Sequence, residues 1–222
     1  MPDLTPLWLT LKVAATATAL SLGVAVAFAW LVARRSFPGR ELLDAVLTLP
    51  LVLPPTVLGY YLIVVWGRNG WLGGWLYQHL GVTLMFTWQG AVLAASVVSF
   101  PLLFKSARAA FEGVPAEYEQ AARILGDAEF AVFWRITLPL AARGLLAGVM
   151  LAFARAMGDF GATLMVAGNI RGRTQTAALA VFDAVQAGNY SLANTLVIIM
   201  SFTCVIILVM TNKLAARSQR GR

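Results

Sequence analysis

The stretch VAATATALSLGVAVAFAWLVA, from Val13 to Ala33, is a run of 21 residues without a charged side chain. A helix of about 20 mostly apolar residues is long enough to cross the hydrocarbon core of a bilayer. Lys12 is the one basic residue before the run, and Arg34 and Arg35 follow it directly. Because the run is longer than the apolar part of a cleaved signal peptide, we predict a retained transmembrane helix.

The composition of the whole chain also indicates that the protein lies in a lipid bilayer. Of the 222 residues, 59% are apolar and 12% are charged, whereas about 25% of the residues of a soluble domain are charged. So few charges cannot cover a surface exposed to water, so lipid must form part of the solvent. The net charge of +7 is distributed in clusters between long neutral stretches, which argues against nucleic acid as a partner.

Four further apolar stretches follow the first one. The second contains three prolines, and the fourth is interrupted by Arg155 and Asp159. We predict an all-α integral membrane protein whose single domain covers residues 1–222. Its five spans are expected at about residues 10–33, 43–66, 86–108, 141–167 and 190–212.

The basic residues are divided unevenly between the connections. The connections after the first and third spans and the C-terminal tail hold 12 of the 17 Lys and Arg residues: Arg34, Arg35, Arg40, Lys105, Arg108, Arg123, Arg135, Arg143, Lys213, Arg217, Arg220 and Arg222. The other side has Lys12, Arg68, Arg171 and Arg173. The positive-inside rule therefore predicts a periplasmic N-terminus and a cytoplasmic C-terminus, which agrees with an odd number of spans.

Catalytic and metal-binding residues are not expected in this chain. Cys204 lies inside an apolar run and is interpreted as a small packing residue. His79 has no cysteine or carboxylate cluster around it. The sequence contains no Gly-rich phosphate loop, so ATP and Mg²⁺ are expected on a partner subunit and no cofactor on this one.

The connection between the third and fourth spans, residues 113–139, is the most informative part of the sequence. Gly113-Val-Pro115 ends the preceding helix, and the segment AEYEQAARILG, from Ala116 to Gly126, is predicted to be a short helix. A second amphipathic stretch, Phe130 to Leu138, is expected to stop at Pro139, where the fourth span begins.

Several residues of this connection stand at a spacing that resembles the EAA loop of bacterial ATP-binding-cassette importer permeases. They are Gln120, Ala121, Ala122, Gly126, Ile136, Leu138 and Pro139. In that family the loop is a coupling helix that docks in a groove of the cytoplasmic ATPase subunit, and the resemblance implies the type I importer permease fold. Small side chains let a helix lie close in such a groove, and glycine permits a tight exit.

The sequence departs from the family pattern at one position. The leading Glu of the family falls on Gln120, and Glu119 precedes it. Glu119 is therefore a candidate to replace any salt bridge that the family forms through its Glu. The alternative is an ordinary amphipathic surface helix, but the fixed spacing favours the coupling interpretation.

Other segments are similar to molybdate permeases in particular. They are Arg34-Arg35-Ser-Phe-Pro-Gly39, LPLVLPPTVLG from Leu49 to Gly59, FWRITLP from Phe133 to Pro139, and Gly158-Asp-Phe-Gly-Ala162. The resemblance implies a homodimer in the bacterial inner membrane, two ATPase subunits, and a periplasmic binding protein that delivers molybdate or tungstate for import by alternating access. Sulfate permeases share most of these features, so sulfate remains an alternative substrate.

The prolines of the second span have two interpretations. Pro50, Pro54 and Pro55 each lack the amide hydrogen of a regular helix. They indicate either a simple kink or an irregular helix that lines the translocation path, where a cavity or neighbouring helices satisfy the freed carbonyls. Gly59 is predicted to allow close packing at the dimer axis.

Arg155 and Asp159 are the two charged residues of the fourth apolar stretch. They are four residues apart, so we expect them on one face of a helix, with Arg155 near the bilayer midplane. An unpaired charge at that depth is costly. A structural ion pair and a gate of the anion path are both open, while direct ligation of an anion by this pair is disfavoured because Asp159 would repel the anion.

The connection after the fourth span contains Arg171 and Arg173. These residues either attract anions and a binding protein or are solvated loop charges. The alanine-rich part of Thr174–Gly188 is predicted to form a short helix at the outer surface.

Two other classes of protein fit the sequence less well. A stand-alone secondary transporter requires carboxylates within the spans for its coupling ion, and only Asp159 is available. An intramembrane enzyme requires catalytic side chains at depth, whereas His79 lies in an outer connection.

The predicted orientation is tested by labelling single engineered cysteines in cells. Cysteines at Ser36 and Ser218 should react only after permeabilisation, because both positions lie among cytoplasmic basic residues. A cysteine at Gly70 should react from outside. The reverse pattern of accessibility would contradict the orientation.

Overall fold

The computed structural model describes the backbone of residues 4–220 and the side chains of that range except those of 208 and 210–220. Arg222 and the side chains of Lys213, Arg217, Ser218 and Arg220 therefore lie outside the described part. The helices are α1 Thr5–Arg34, α2 Arg40–Val52, α3 Pro55–Trp66, α4 Trp71–Leu80, α5 Trp88–Glu112, α6 Ala116–Ile124, α7 Glu129–Val132, α8 Leu138–Met157, α9 Gly161–Ala167, α10 Ala177–Gln186 and α11 Tyr190–Arg220, with a π-helical turn at Phe133–Thr137.

The prediction of five membrane spans in an all-α fold is confirmed. Four helices are long and apolar enough to cross a bilayer: α1, α5, the continuous helix Glu129–Met157 and the Tyr190–Ile207 part of α11. The helices α2 and α3, bent by 115° relative to each other, together meet the same criterion of length and composition, and they are counted here as the fifth span. The end of the bundle that carries α6 is called the α6 end, and the opposite end is called the α4 end.

Small residues let α1 and α5 pack closely along their length. Ala14, Ala17, Ala25 and Ala29 recur on one side of α1 and are fully buried. On α5, buried Ala91, Ala94, Ala95 and Ala107 form the facing and flanking surfaces. Small side chains at helix interfaces are typical of membrane proteins, because dispersion contacts rather than the expulsion of water hold the helices together.

Two glycines bring α8 equally close to α5. A Cβ atom on Gly144 would overlap the side chain of Ala110, and one on Gly148 would lie 2.7 Å from Cβ of Ser106. The helix α5 thus contacts α1, α8, α9 and α2, and it forms the centre of the chain.

The second span is a broken helix rather than a kinked one. Pro54 is the N-cap residue of α3 and Pro55 is its first residue, where a missing amide hydrogen costs nothing because that hydrogen has no partner within the helix. Only Pro50 lies inside a helix, α2. Near the first turn of α2, Asp44 accepts hydrogen bonds from Lys105 at 2.7 Å and from Arg108 at 2.6 Å, which ties α2 to α5.

The fourth span differs from the prediction at both ends. Pro139 does not begin it, since one helix runs through from Glu129 to Met157. A π-helical turn precedes the proline and lets the helix continue through it. In this turn the amide of Leu138 donates to the carbonyl of Phe133, five residues back. At the other end the helix stops at Met157 and resumes as α9 at Gly161, so the expected span 141–167 is divided.

The α4 end carries two short helices. The expected helix within Thr174–Gly188 is confirmed as α10, whose first amide, on Ala177, donates to the hydroxyl of Thr10 at 2.8 Å. The helix α4 exposes Trp71 and Trp75, a residue type that is enriched at the interface of membrane and water.

The close approach of α8 to α5 predicts a strong effect of a large side chain at Gly148. Gly148→Leu forces the helices apart, and such overpacking costs about 1–3 kcal/mol of the free energy of unfolding. Gly23→Leu is the matched control, because a Cβ there has no other atom within 4 Å. Thermal unfolding in detergent should show a lower midpoint for the first variant only, and equal midpoints would contradict the packing.

Candidate functional site

The helix α6 has one face turned into the chain and one face exposed. Glu119 and Ala122, three residues apart, are 4% and 5% exposed, whereas Gln120 and Ala121 are exposed. The helix begins after Pro115, and the chain leaves it at Gly126, whose φ of 92° favours glycine. Of the two small residues in the motif, Ala121 is exposed and Ala122 is buried within the chain.

Large apolar side chains are exposed on α6 and on the segment that follows it. We call the set of Tyr118, Ile124, Leu125, Phe130 and Trp134 the α6 patch. Ile124 and Leu125 are 85% and 86% exposed, and the rings of Phe130 and Trp134 lie 6.0 Å apart. Exposed apolar surface of this kind marks a site of contact with another protein or a membrane.

The buried carboxylate of Glu119 joins three parts of the chain. Arg34, the last residue of α1, places Nη2 2.9 Å from Oε1 of Glu119. The Thr137 hydroxyl, in the π-helical turn, donates to the same oxygen at 2.7 Å. Arg34 Nη2 also donates to the carbonyl of Val114 at 3.0 Å. Glu119 therefore forms a salt bridge within this chain, and its replacement of a salt bridge that the family forms through its leading Glu stays a prediction.

The remaining motif residues lie between the two faces. Ile136 and Leu138 are half-buried in and just after the π-helical turn, and Pro139 is exposed. Leu138 packs against the buried core shared by α1, α5 and α8. The motif thus contains residues that shape the base of α8 as well as residues on the exposed face of α6.

Arg123 closes the end of α6 onto the next helix. Its Nε donates to Glu129 Oε1 at 2.6 Å and its Nη2 to Oε2 at 3.2 Å. The hydrogen bonds that it donates to the Glu129 carboxylate raise the pKa of the Arg123 guanidinium above its ordinary value. Both side chains are solvent-exposed, so the pair orients the loop and adds little stability.

The breaks of the second and fourth spans lie against each other. A Cβ on Gly161, the first residue of α9, would lie 3.1 Å from Cβ of Pro55. One turn along α3, a Cβ on Gly59 would lie 2.6 Å from Cβ of Met165 and 3.3 Å from Cα of Ala162. Gly59 therefore serves close packing of α3 on α9 within one chain.

Asp159 lies in the break and not on a continuous helix with Arg155, which corrects the sequence expectation. Its Oδ2 accepts the amide hydrogen of Thr163 at 3.0 Å and the Thr163 hydroxyl at 2.6 Å. Arg155 Nη1 stays 3.9 Å from Oδ1, beyond hydrogen-bond distance. The carboxylate is 2% exposed and acts mainly as an acceptor that caps α9.

The residues predicted to line the path separate into two groups. Pro54, Pro55, Gly59 and Asp159 lie at or near the paired breaks. Pro50 instead lines an apolar groove of about 610 Å³ between α1, α2 and α5.

The connection after α9 holds an exposed ion pair. Arg171 Nη2 lies 2.7 Å from Oδ2 of Asp183, on α10. The hydrogen bond from Arg171 keeps the pKa of the Asp183 carboxyl below its ordinary value. Arg171 therefore has a carboxylate neighbour and is not an isolated cation, while Arg173 is exposed.

Sequence reasoning missed the partners of the two buried carboxylates. The sequence indicates Arg34 as an orientation signal and as part of the segment Arg34-Arg35-Ser-Phe-Pro-Gly39, but not as a partner of Glu119, and it does not single out Thr137 or Thr163. Thr163 follows Asp159 by four residues, in a stretch that contains two glycines, and this spacing is compatible with Asp159 as a cap of α9. No spacing in the sequence relates Arg34 to Glu119, which are 85 positions apart. Among the described residues no group of three or more His, Cys, Asp or Glu side chains is arranged to hold a metal ion.

Comparison with known proteins decides the family. Residues 19–221 match the family described as binding-protein-dependent transport system inner membrane component. The chain belongs to this family. The permease class predicted from the α6 segment is thereby confirmed.

Individual relatives cover the whole length of the chain. It is 47% identical to the molybdenum transport system permease protein ModB of Escherichia coli K12, over 100% of this chain and 98% of that one. It is 36% identical to the sulfate transport system permease protein CysW of Synechococcus elongatus, over 96% of this chain and 74% of that one. A structure of the MetNI methionine ABC transporter has a similar fold, with a TM-score of 0.76, 14% identity, and coverage of 96% of this chain and 94% of that one.

The role of Asp159 is tested by comparing two substitutions. Asp159→Ala removes the acceptor of the Thr163 amide, and loss of such a cap costs about 0.5–2 kcal/mol of the free energy of unfolding. Asp159→Asn keeps an acceptor oxygen and should be milder. The midpoint of thermal unfolding in detergent measures both, and equal losses would show that the charge facing Arg155 is what matters.

Proposed function

We propose that this chain is the membrane subunit of an ATP-driven importer that carries molybdate, or the closely similar tungstate, into the cytoplasm. The observation that carries the proposal is the 47% identity to ModB over essentially the full length of both chains. The likeness extends through the α6 segment and both helix breaks, so it covers the docking surface and the membrane bundle together.

Sulfate is the second candidate substrate. The 36% identity to CysW favours it, over 74% of that protein. Molybdate and sulfate are both tetrahedral dianions, so a path that neutralises one accommodates the charge of the other. The greater identity and fuller coverage favour molybdate.

The proposed importer contains two copies of this chain. Leu53, Pro54, Pro55 and Thr56 form the break of the second span, and all but the half-buried Leu53 are exposed in the single chain. Irregular backbone within a bilayer is tolerated only where protein or a water-filled cavity covers it. A second copy, with the anion path between the copies, supplies both conditions. This argument supports the path role of Pro54 and Pro55, while Gly59 and Asp159 hold the break in shape.

The remaining partners act at the two ends. Two ATPase subunits, which bind ATP and Mg²⁺, dock on the α6 patch in the cytoplasm, and a periplasmic oxyanion-binding protein docks at the α4 end. This chain itself hydrolyses nothing. The orientation, with the N-terminus periplasmic and the C-terminus cytoplasmic, places Arg34, Arg35 and Arg40 inside the cell, as the positive-inside rule requires.

The proposal is tested in vesicles that contain the chain, its ATPase subunit and the binding protein. Uptake of labelled molybdate should require ATP and should be suppressed by unlabelled tungstate more strongly than by sulfate. Suppression by sulfate alone would transfer the assignment to sulfate. ATP-independent uptake driven by an ion gradient would instead support a secondary transporter.

The same vesicles test the docking surface. Ala121→Asp places a charge on the exposed face where the ATPase must close, and an unpaired charge in such a contact costs several kcal/mol. Uptake and ATPase association should fall, while the permease remains monodisperse in detergent. Gln120→Glu is the control and should be mild, because it restores the family residue.

Ala122→Asp is not equivalent to Ala121→Asp. Ala122 is buried within the chain, so this variant should lower the unfolding midpoint as well as uptake.

Full coupled activity of Ala121→Asp would show that α6 is only a surface helix.

A further inference from the structure

The side of α6 that faces away from the proposed ATPase contact contains a built polar site. Glu119 is buried on this side, with Oε1 accepting from Thr137 and facing Nη2 of Arg34. We call Arg34, Glu119 and Thr137 the clasp. Its members come from the end of α1, from α6 and from the turn that begins the fourth span, so one carboxylate connects three elements.

The clasp is nearly closed to solvent. The side chains of Arg34 and Glu119 are 18% and 5% exposed. Arg34 Nη2 also binds the Val114 carbonyl, and Arg123 Nη2 lies 3.8 Å from the second oxygen of Glu119. Nε of Arg34 is buried without a hydrogen-bond partner. A buried ion pair resists separation, because each partner left alone would be an uncompensated charge.

Apolar contacts continue the clasp into the membrane bundle. Phe133 packs edge-on against Trp30 of α1, with ring centroids 5.7 Å apart, and also against Phe111 of α5 at 6.2 Å. Phe111 and Val114 belong to the buried core that α1, α5 and α8 share. A displacement of α6 therefore moves the ends of three spans together, since close-packed interiors transmit strain rather than absorb it.

We propose that the clasp transmits ATP-driven movement from α6 to α1 and to the fourth span, with Glu119 as the positioning residue that makes the connection. The proposal rests on the proposed function, because it assumes an ATPase on the exposed face of α6. It assigns the two faces of α6 to different tasks: Ala121 and its neighbours bind the ATPase, and Glu119 holds the membrane helices. Gln120, at the position of the family Glu, is exposed and takes no part in the clasp.

The test uses the full complex in vesicles and three separate measurements: co-purification of the ATPase, ATP hydrolysis, and molybdate taken up per ATP hydrolysed. Glu119→Gln keeps the shape and the acceptor oxygen but removes the charge. Arg34→Gln removes the partner charge, and Thr137→Val removes one hydroxyl. Asp127→Asn is the matched control, because it removes the charge that faces exposed Arg135 on the same segment.

The expected result is a loss of coupling without a loss of assembly. Uptake per ATP should fall about tenfold in Glu119→Gln and Arg34→Gln, which is within the usual range of coupling between sites. In Thr137→Val, uptake per ATP should fall about twofold. This variant removes no charge, so it tests the clasp even if a charge variant does not fold. The double variant Glu119→Gln/Arg34→Gln should lose no more uptake per ATP than either single variant, because all three lose the same interaction.

Three results would overturn the proposal. The first is unchanged uptake per ATP in Glu119→Gln. The second is a double variant whose fold-loss of uptake per ATP equals the product of the fold-losses of Glu119→Gln and Arg34→Gln. The third is loss of ATPase association in step with uptake, which would make Glu119 a support of the docking face only. Failure of the unmodified complex to assemble and import would refute the proposed function instead, so the two failures are distinguishable.

Discussion

The structure depends on the requirement that each backbone polar group in the bilayer find a partner within protein. Unbroken helices meet the requirement in α1 and α5. The second and fourth spans break, and each break lies against the other through Gly161 and Pro55. At the fourth span, the side chain of Asp159 accepts the Thr163 amide hydrogen within the break. Irregular backbone is thus gathered in one place, which leaves the rest of the bundle regular.

The two ends of the bundle use charge differently. At the α6 end, Asp44 and Glu119 each bind basic residues from other helices, so carboxylates hold together segments that are distant in the chain. At the α4 end, the first amide of α10 donates to the hydroxyl of Thr10, Trp71 and Trp75 of α4 are exposed, and the Arg171–Asp183 pair is solvent-exposed. Exposed pairs contribute little stability, whereas buried pairs fix geometry. The α6 end is therefore the end at which ion pairs between helices hold several segments together as one connected surface.

Most of the architecture could be predicted because the bilayer imposes a length and a composition on each span. Four of the spans follow from charge-free runs, and the fourth in order follows from a long apolar stretch whose charged residues are Arg155 and Asp159. The segment 113–139 follows from motif spacing. The bounds of the fourth span could not be predicted in this way. A hydropathy pattern does not predict that the helix continues past Pro139 through a π-helical turn. It also does not predict that Gly158 to Phe160 interrupt the helix. Local backbone hydrogen bonds decide both points, and they leave no periodic pattern in composition.

The sequence by itself determined the solvent, the number of spans and the family, because each depends on local composition or on spacing within one short segment. Only the tertiary structure decided which face of α6 is free, that Ala122 is buried while Ala121 is exposed, and that Glu119 binds Arg34. It also decided that Gly59 packs on Met165 and that Asp159 caps α9. These contacts join residues of different elements, or depend on which way one helix faces another, and the packing of the helices alone brings them together.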